Sequence, residues 1–243
     1  MRAVLTERFP DHGIFGEEAG SAPGRDPDDA SGEGRPSRWC WVLDPIDGTR
    51  SFVTGKPLFG TLIALLYDGA PVLGIVDQAF TRERWTGRAG VGTTWERRGE
   101  GPSDAEPARL VATRPCASDL ADAYMFSTTP DMFIGDGAVD GLPLGPRFER
   151  LRRAVRLCSY GADCYGYGLV ALGLADLVCE ADLKPYDYMA VAAIVEAAGG
   201  VVTDWEGGAL RWEHGGTAPA QGEVLAAGCA TAHAAALAAL RGE

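Results

Sequence analysis

Two carboxylates follow a short apolar stretch of this 243-residue chain. Residues 39–43 (Trp-Cys-Trp-Val-Leu) suit a buried strand, and Asp44 and Asp47 come after them. Because residues three apart on a continuing strand face opposite ways, the two acids converge only if the chain turns between them. Pro45 fixes one backbone torsion and Gly48 permits almost any, so the sequence predicts such a turn.

Converging carboxylates of this kind hold hard divalent cations. A helix start at Gly48 and Thr49 would present free backbone N–H groups to an anion, so we predict a metal site with a phosphate cradle beside it. Bound cations would bridge a phosphate, activate water and stabilise the leaving oxygen. Thr49 offers a hydroxyl that could orient the attacking water, and Glu17 could help to take its proton.

Two further acidic groups lie far from this stretch in the sequence. Glu17 and Glu18 end a short apolar strand, and Asp187 lies just inside a helix that begins at Pro185, where the helix dipole favours a carboxylate. With the first pair of acids they offer enough oxygens for roughly two or three Mg²⁺ ions. Taken alone, each group also fits a plainer interpretation: a first-turn helix acid for Asp187 and a solvated pair for Glu17 and Glu18.

The overall composition limits the classes of partner. Lys and Arg number 22 against 34 Asp and Glu, for a net charge of −12, which argues against nucleic acid or an anionic membrane as the main partner. Apolar runs never approach the ~20 residues that span a bilayer. The six cysteines form no C-x-x-C pair, so we expect reduced thiols and a cytoplasmic location. Only three histidines occur, widely separated, which disfavours a histidine-rich zinc site.

The elements that must position these acids alternate between strands and helices. We predict a helix over residues 1–9, a strand at 13–16, a mobile surface loop over 19–37 and a brief helix at 49–54. The other predicted strands are 59–67 and 71–78 (a hairpin), 82–85, 92–95, 108–112, 123–126, 176–180, 201–203 and 224–227, and the other predicted helices are 148–154, 164–173, 186–198 and 231–241. The predicted class is therefore α+β in layers, within a single domain.

Five arginines accompany the predicted helix at 148–154. We expect them to form a solvated face, as runs of like charge usually do. They are Arg147, Arg150, Arg152, Arg153 and Arg156.

The acidic motifs, taken together, resemble those of the inositol-monophosphatase-like, metal-dependent phosphatases. The matching segments are Gly-Glu-Glu at 16–18, Trp-Val-Leu-Asp-Pro-Ile-Asp-Gly-Thr at 41–49, and Tyr-Asp at 186–187 followed by Glu-Ala-Ala-Gly-Gly at 196–200. The resemblance implies a layered αβαβα sandwich, catalysis by Mg²⁺ (with Mn²⁺ as an alternative) that Li⁺ inhibits, a small phosphorylated substrate and a homodimer. It implies a metal-binding half at about 1–113 and a substrate half at about 114–243.

The same resemblance assigns roles to individual residues. Glu17, Asp44 and Thr49 would be catalytic, and the amides of Gly48 and Thr49 would bind phosphate. The implied metal ligands are Glu17, Asp44, the Ile46 carbonyl, Asp47 and Asp187.

Within that family, four segments look like the histidinol-phosphate phosphatase branch: 50–61, 127–133, 161–167 and 180–187. Inositol phosphatases typically carry a small Ser-Ala pair where Ala162 and Asp163 stand here. The additional acid would suit a substrate with a cationic amine and an imidazole, although Asp163 also fits a helix N-cap. The implied substrate-binding residues are Asp47, Arg50, Asp163 and Glu180.

The chain departs from the family pattern at its start. Family members usually begin with about two more helices, which carry an acid that hydrogen-bonds the catalytic threonine. This chain starts beyond the corresponding segment, so we expect one sheet face to be less covered, Thr49 to be poorly held, and stability and activity to be reduced.

The expected reaction is hydrolysis of L-histidinol phosphate to L-histidinol and phosphate in histidine biosynthesis, without a covalent intermediate. Three alternatives remain open. An inositol or other sugar-phosphate monophosphatase would share all the metal ligands. A haloacid-dehalogenase-type phosphatase would use an aspartyl-phosphate, but that family spaces its acids as D-x-D, unlike Asp44 and Asp47. A non-catalytic descendant would bind phosphometabolites only.

Overall fold

Two β-sheets, with helices between and beside them, make up this chain. The computed structural model describes residues 1–29, 34–99, 101, 106–114, 119–134, 138–139, 142–212 and 222–243. The larger sheet has eight strands in the order β2-β1-β3-β4-β5-β6-β7-β8, and the smaller has five in the order β12-β9-β13-β15-β14. A short antiparallel pair, β10 (Ala138–Val139) with β11 (Leu142–Pro143), stands apart from both.

The eight-stranded sheet is antiparallel except for one neighbouring pair. Strands β1 and β3 run parallel, with Gly16 opposite Leu43, so their carboxyl ends lie side by side. The strands of this sheet are β1 (Gly13–Gly16), β2 (Gly20–Ala22), β3 (Trp39–Asp47), β4 (Gly60–Tyr67), β5 (Ala70–Gln78), β6 (Glu83–Arg88), β7 (Gly92–Arg97) and β8 (Glu106–Val111).

The five-stranded sheet is mixed. Strands β12, β9 and β13 are parallel neighbours, whereas β15 pairs antiparallel with both β13 and β14. Its strands are β9 (Tyr124–Ser127), β12 (Leu157–Tyr160), β13 (Leu177–Glu180), β14 (Val201–Thr203) and β15 (Val224–Ala227). Because the carboxyl ends of β9 and β13 lie together, residues that follow these strands meet at one edge of the sheet.

The helices form three layers around the two sheets. Helices α4 (Asp163–Ala171) and α5 (Pro185–Ala197) lie between the sheets, where α5 packs on β3 to β7 and on β14 and β15. Helices α3 (Leu144–Ala154) and α6 (Ala230–Arg241) pack together beyond the smaller sheet. Helix α1 (Arg2–Arg8) contributes Leu5 to a small apolar cluster on the outer face of the larger sheet. Helix α2 (Thr49–Thr54) directly follows β3.

Small residues let α5 approach the larger sheet closely. A Cβ built on Gly74 would lie 2.1 Å from the Ala190 carbonyl oxygen, and one built on Gly87 would lie 2.6 Å from the Ile194 Cα. Side chains at these two positions would therefore force the helix away from the sheet. The helix is apolar on every side, because sheets flank it on both faces.

The observed layers confirm the expected α+β sandwich of αβαβα type. The division near residue 113 stays a prediction, although the larger sheet ends at Val111 and the smaller one begins at Tyr124. Across the described ranges, no helix is both long enough and apolar enough to cross a bilayer.

Several expectations about elements need correction. The segment at 19–37 was predicted to be loop throughout, yet it contributes the edge strand Gly20–Ala22 and a bridge between Arg25 and Pro36. Strand β12 was not predicted at all, since Leu157–Tyr160 carries only mixed apolar character between a helix and a glycine.

Two side-chain expectations also fail. Arg147 belongs to no solvated face: it is 2% exposed, and it pairs with Glu206 and lies over the Trp205 ring. Cys229 is disulfide-bonded, contrary to the expectation of reduced thiols. The thiols of Cys40, Cys158, Cys164 and Cys179 are free, as expected.

Candidate active site

A bulge in strand β3 brings Asp44 and Asp47 together. The strand does not end before the acids, as the sequence suggested, but continues through them to Asp47. Asp44 pairs with Leu62 and Asp47 with Gly60, so three steps along β3 match two along β4. The additional residue of the bulge compensates for the odd spacing of the two aspartates, so both carboxylates project from the same face of the strand.

Two other elements deliver acids to the same place. Asp187 lies in the first turn of α5, and its carboxylate oxygens lie within 4.8 Å of ligand atoms of Asp44 and Asp47. Glu17 follows β1, where its backbone N–H donates to the Leu43 carbonyl at 3.2 Å. The parallel pairing of β1 with β3 therefore places Glu17 beside Asp44, as the two strands end together.

One oxygen of each clustered aspartate is fixed by a backbone N–H. Asp44 accepts from Ile46 at 2.9 Å, Asp47 from Cys164 at 2.8 Å and Asp187 from Lys184 at 2.7 Å. Asp187 thus caps the first turn of α5 and also faces the other acids, and its role as a metal ligand stays a prediction. The remaining oxygens suit a hard divalent cation, which prefers carboxylate ligands.

The electrostatics of the cluster point in the same direction. Burial, and then repulsion from Asp47 and Glu17, raises the pKa of Asp44, whose side chain is 1% exposed. Burial raises the pKa of Asp47 to about 8 and that of Asp187 to about 6. No arginine or lysine within the described ranges forms an ion pair with these three acids. A bound cation is therefore needed to keep all three carboxyl groups deprotonated at neutral pH.

Gly48 and Thr49 form the turn that follows the bulge. Gly48 has φ of 75°, and a Cβ there would lie 2.9 Å from Asp163 Oδ2, so a side chain is excluded on two grounds. The Thr49 hydroxyl donates to the Ile46 carbonyl at 3.1 Å. Both residues line the cleft, where a phosphoryl group would meet the start of α2.

The main cleft encloses about 380 Å³ and is strongly acidic. Of the sequence-predicted residues, six line it: Glu17, Gly48, Thr49, Arg50, Asp163 and Asp187. Asp44 and Asp47 lie deeper, and Glu180 is 3% exposed and does not line the cleft. The lining also includes Thr128, Thr129, Asp131, Met132 and Asp182, which lie in the segments 127–133 and 180–187 noted above but were given no individual role.

Asp163 and Glu180 are joined through hydroxyl groups. The Thr128 hydroxyl lies 2.6 Å from Glu180 Oε1 and 3.3 Å from Asp163 Oδ1. Ser51 donates to the other oxygen of Asp163 at 2.6 Å, and Tyr167 donates to the other oxygen of Glu180 at 2.8 Å. Burial raises the pKa of Glu180 to about 7 in spite of these hydrogen bonds.

The backbone at Asp163 also departs from the sequence interpretation. Ala162, not Asp163, is the N-cap residue of α4, so the helix-cap alternative is wrong. Asp163 has φ of 47°, and Asp182 on the same cleft has φ of 58°, in the left-handed region that aspartate tolerates better than most residues. Such strained positions concentrate at functional sites.

The positions of Thr128 and Glu180 had one usable signal in the sequence. Each lies at or just past the end of a strand, and in sheets with parallel strands the carboxyl ends gather the ligand-binding residues. The parallel neighbours β9 and β13 place these residues together. The sequence predicted both strands but could not show that they are neighbours.

Comparison with known proteins agrees with this geometry. The model of the inositol monophosphatase family matches residues 1–243. A bifunctional phosphatase, IMPL2, from Arabidopsis thaliana chloroplasts is 41% identical over 98% of this chain, which spans 61% of that relative's length. A histidinol-phosphatase from Chlorobaculum parvum is 34% identical over 85% of this chain, in a match that spans 69% of that relative's length. An inositol monophosphatase structure from Zymomonas mobilis superposes with a TM-score of 0.78 at 38% identity, over 99% of this chain and 79% of the other.

Proposed function

We propose that this chain, which belongs to the inositol monophosphatase family, is a phosphatase of small phosphorylated compounds and that its substrate is L-histidinol phosphate. The products would be L-histidinol and inorganic phosphate, a step of histidine biosynthesis. The family is metal-dependent, and we propose Mg²⁺, at two or three positions (roughly, from the number of carboxylates), as the ion used here.

The observation that carries this proposal is the charge of the cleft. Its lining holds five carboxylates and only one guanidinium, that of Arg50. Clustered cations would neutralise the carboxylates near the phosphoryl group, and Asp163, Asp131 and Asp182 also line the cleft, with Asp182 paired to Lys184. A substrate with a positive group distal to its phosphate is favoured there, and a neutral polyol gains nothing from these charges. Histidinol phosphate carries an amine and a titratable imidazole in that position.

Each residue of the site would have a separate role in hydrolysis. Asp44, Asp47, Asp187, Glu17 and the Ile46 carbonyl would hold the cations; ligand atoms of the three aspartates lie within 4.8 Å of one another, and Glu17 lines the adjoining cleft. When bound, such ions supply Lewis-acid activation of water and charge neutralisation at the phosphoryl group. The Gly48 and Thr49 amides would donate to phosphate oxygens, and the Thr49 hydroxyl, now directed to the Ile46 carbonyl, would orient the attacking water. Glu17, which lines the same cleft as Thr49, would accept its proton.

The recognition end of the substrate would meet Asp163. Ser51 and the shared Thr128 hydroxyl hold this carboxylate at the cleft wall, and Arg50 lies next to it. Glu180 accepts a hydrogen bond from the Thr128 hydroxyl. We propose that Glu180 orients this hydroxyl toward the substrate and adds negative charge next to the cleft wall. As in the family expectation, we propose a homodimer with a metal-binding half at about 1–113 and a substrate half at about 114–243.

Hydrolysis of inositol 1-phosphate or another sugar phosphate is the second candidate. It is favoured by the 38% identity to the Zymomonas mobilis inositol monophosphatase, which matches 99% of this chain. The same metal cluster would serve either substrate. The two substrates would therefore differ only in their contacts with the cleft wall formed by Asp163 and its partners.

Phosphate release from both substrates, with and without Mg²⁺, tests the choice. We expect turnover of histidinol phosphate to exceed that of inositol 1-phosphate by at least tenfold in kcat/KM. Asp163→Asn keeps the side-chain shape but removes the charge, and it should lower kcat/KM for histidinol phosphate by about 10- to 100-fold, the worth of one charge-assisted hydrogen bond. The value for inositol 1-phosphate should change by about threefold or less.

Asp28→Asn is the matched control, because Asp28 is exposed and lies outside the cleft. It should leave both substrates unaffected. Preferred turnover of inositol 1-phosphate by the unaltered protein would contradict the histidinol assignment and leave the phosphatase assignment standing. Absence of any Mg²⁺-dependent release would instead favour a protein that only binds phosphometabolites.

A further inference from the structure

A second cavity adjoins the acidic cleft and has the opposite character. It encloses about 290 Å³ and shares Arg50, Thr128, Thr129 and Asp163 with the cleft, so the two spaces are separated only by these side chains. Its own walls add Ser51, Thr54, Lys56 and Gly161. We call it the cationic compartment, because it is lined by two cations and one carboxylate.

The two cations of the compartment are available to a ligand. Within the part of the chain that the structure describes, neither Arg50 nor Lys56 forms an ion pair with a carboxylate, although most other arginines there do. Of the local hydroxyls, Ser51 donates to Asp163, Thr54 donates to the Arg50 carbonyl at 2.8 Å, and Thr128 donates to Glu180. The exposed guanidinium and ammonium are thus the charged donors of the compartment.

Gly161 sets the position of the lysine. A Cβ at residue 161 would lie 3.2 Å from Lys56 Nζ, and Gly161 has φ of 83°. The ammonium therefore rests against bare backbone at the turn that leads into α4, on the cavity side. In a protein of net charge −12, two cations facing one cavity that holds a single carboxylate favour a local positive potential there.

We propose that the cationic compartment is a binding site for a phosphate dianion, with Arg50 and Lys56 as its donors. This site goes beyond the proposed function, because the amine and imidazole of histidinol phosphate do not suit it. The volume leaves room for a phosphate and several waters, at roughly 30 Å³ per water. The phosphate could be free inorganic phosphate, the product of the neighbouring cleft, or the second phosphate of a bisphosphorylated substrate whose first phosphate reacts in the cleft.

Binding of inorganic phosphate to the metal-free protein isolates this site. In EDTA the uncompensated carboxylates of the main cleft disfavour phosphate there, and dependence of binding on Lys56, which does not line the cleft, assigns bound phosphate to the compartment. Isothermal titration calorimetry with inorganic phosphate should give one site per chain for the unaltered protein. Lys56→Gln should weaken the affinity at least fivefold, and Lys56→Arg should restore it.

Arg88→Gln is the matched control, since it removes one exposed positive charge at the far end of β6, outside both cavities. It should leave phosphate binding unchanged. Absence of phosphate binding by the unaltered metal-free protein, or an equal loss in Lys56→Gln and Arg88→Gln, would overturn the proposal. Because no turnover is measured, these results do not depend on the identity of the substrate.

A second measurement identifies the source of the phosphate. With Mg²⁺ present, kcat/KM is compared for fructose 1,6-bisphosphate and fructose 1-phosphate. A several-fold fall in the bisphosphate-to-monophosphate ratio in Lys56→Gln supports a site for the second phosphate of a substrate. An unchanged ratio, together with weaker phosphate binding in EDTA, supports a site for free phosphate.

Discussion

Two aspartates of this chain are almost equally buried but have opposite surroundings. Asp44 is 1% exposed and Asp176 is 3% exposed. The carboxylate of Asp176 meets both arms of the Arg114 guanidinium, with Nε at 2.7 Å, and also accepts the Tyr124 backbone N–H at 2.7 Å. Asp44 has one backbone N–H and two further carboxylates around it.

The difference separates a structural acid from a functional one. A buried charge is stabilised only if a counter-charge and hydrogen bonds compensate its lost hydration. For Asp176 the chain supplies both. Its carboxylate also links the backbone of Tyr124, at the start of β9, to the segment that precedes β13. For Asp44 the chain supplies repulsion instead, and the proposed divalent cation would supply the missing counter-charge. Among the described residues, no arginine or lysine forms an ion pair with Asp44, and this lack of a counter-charge supports the proposed cation site as much as the carboxylate does.

Neutralising each aspartate in turn should give opposite results. We expect Asp44→Asn to lower Mg²⁺-dependent kcat by at least about 10³-fold, because a metal ligand and catalytic acid is lost, while the metal-free protein becomes no less stable. Asp176→Asn should destabilise the fold by about 2 kcal/mol, since the buried carboxylate that Arg114 and Tyr124 require is gone, with kcat reduced less than about threefold.

Phosphate release and urea unfolding of the two variants measure these effects. Loss of stability in Asp44→Asn comparable with that in Asp176→Asn would erase the distinction, since both acids would then be structural. Retained turnover in Asp44→Asn would remove Asp44 from the site altogether.

The acidic cluster should make the metal-free protein less stable as pH rises. Folding raises the pKa of Asp47 to about 8 and of Asp187 to about 6, and it raises that of Asp44 as well, so the folded state holds protons that the unfolded state has lost. The stabilisation by these protons is complete below about pH 4 and disappears as pH rises through 6 to 8. The melting temperature in EDTA should therefore fall by several degrees between pH 6 and pH 8.5.

Saturating Mg²⁺ should reverse this trend, because cations replace the protons. At 100 times its Kd the ion adds about 2.7 kcal/mol, and its affinity should rise with pH over the same interval. Differential scanning calorimetry at several pH values, with EDTA or with Mg²⁺, measures both effects. A melting temperature that does not depend on Mg²⁺ at pH 8 would contradict the assignment of the cluster as a metal site.

The smallest expected effect concerns the shape of the Arg114 pair. Arg114→Lys keeps the positive charge but cannot contact both carboxylate oxygens of Asp176 in parallel. Because the Arg114 side chain is 35% exposed, we expect a loss of only about 1 kcal/mol in urea unfolding, with Mg²⁺ affinity unchanged. An effect on Mg²⁺ affinity would show that the two aspartates are coupled and would weaken the comparison.

Much of the fold and of the metal cluster was accessible from the sequence. Alternating apolar patterns and glycine stops located most strands and helices, and the motifs around Asp44 and Asp187 identified acids that the structure brings within 4.8 Å of each other. These signals are local, and each depends on a few neighbouring residues. The placement of Glu17 followed from the same motifs.

The remaining features depend on contacts that no local pattern records. The burial of Arg147 requires Trp205 and Glu206, nearly sixty residues away, so its position in an arginine-rich segment was misleading. The hydrogen bond from Thr128 to Glu180 requires β9 and β13 to be neighbours, and the predicted contact of Glu180 with the substrate stays a prediction. Lys56 lies at its cavity only because Gly161 leaves space for it.

The bulge in β3 has a consequence for how this segment can change. A flat strand would align acids spaced as D-x-D, whereas the bulge aligns D-x-x-D and adds one peptide unit between them. That peptide contributes the Ile46 carbonyl, which accepts the Thr49 hydroxyl and is one of the proposed ligands. Deleting one residue here would preserve the alignment of the carboxylates but remove an oxygen donor, so the length of this segment is under a constraint that its apolar content does not reveal.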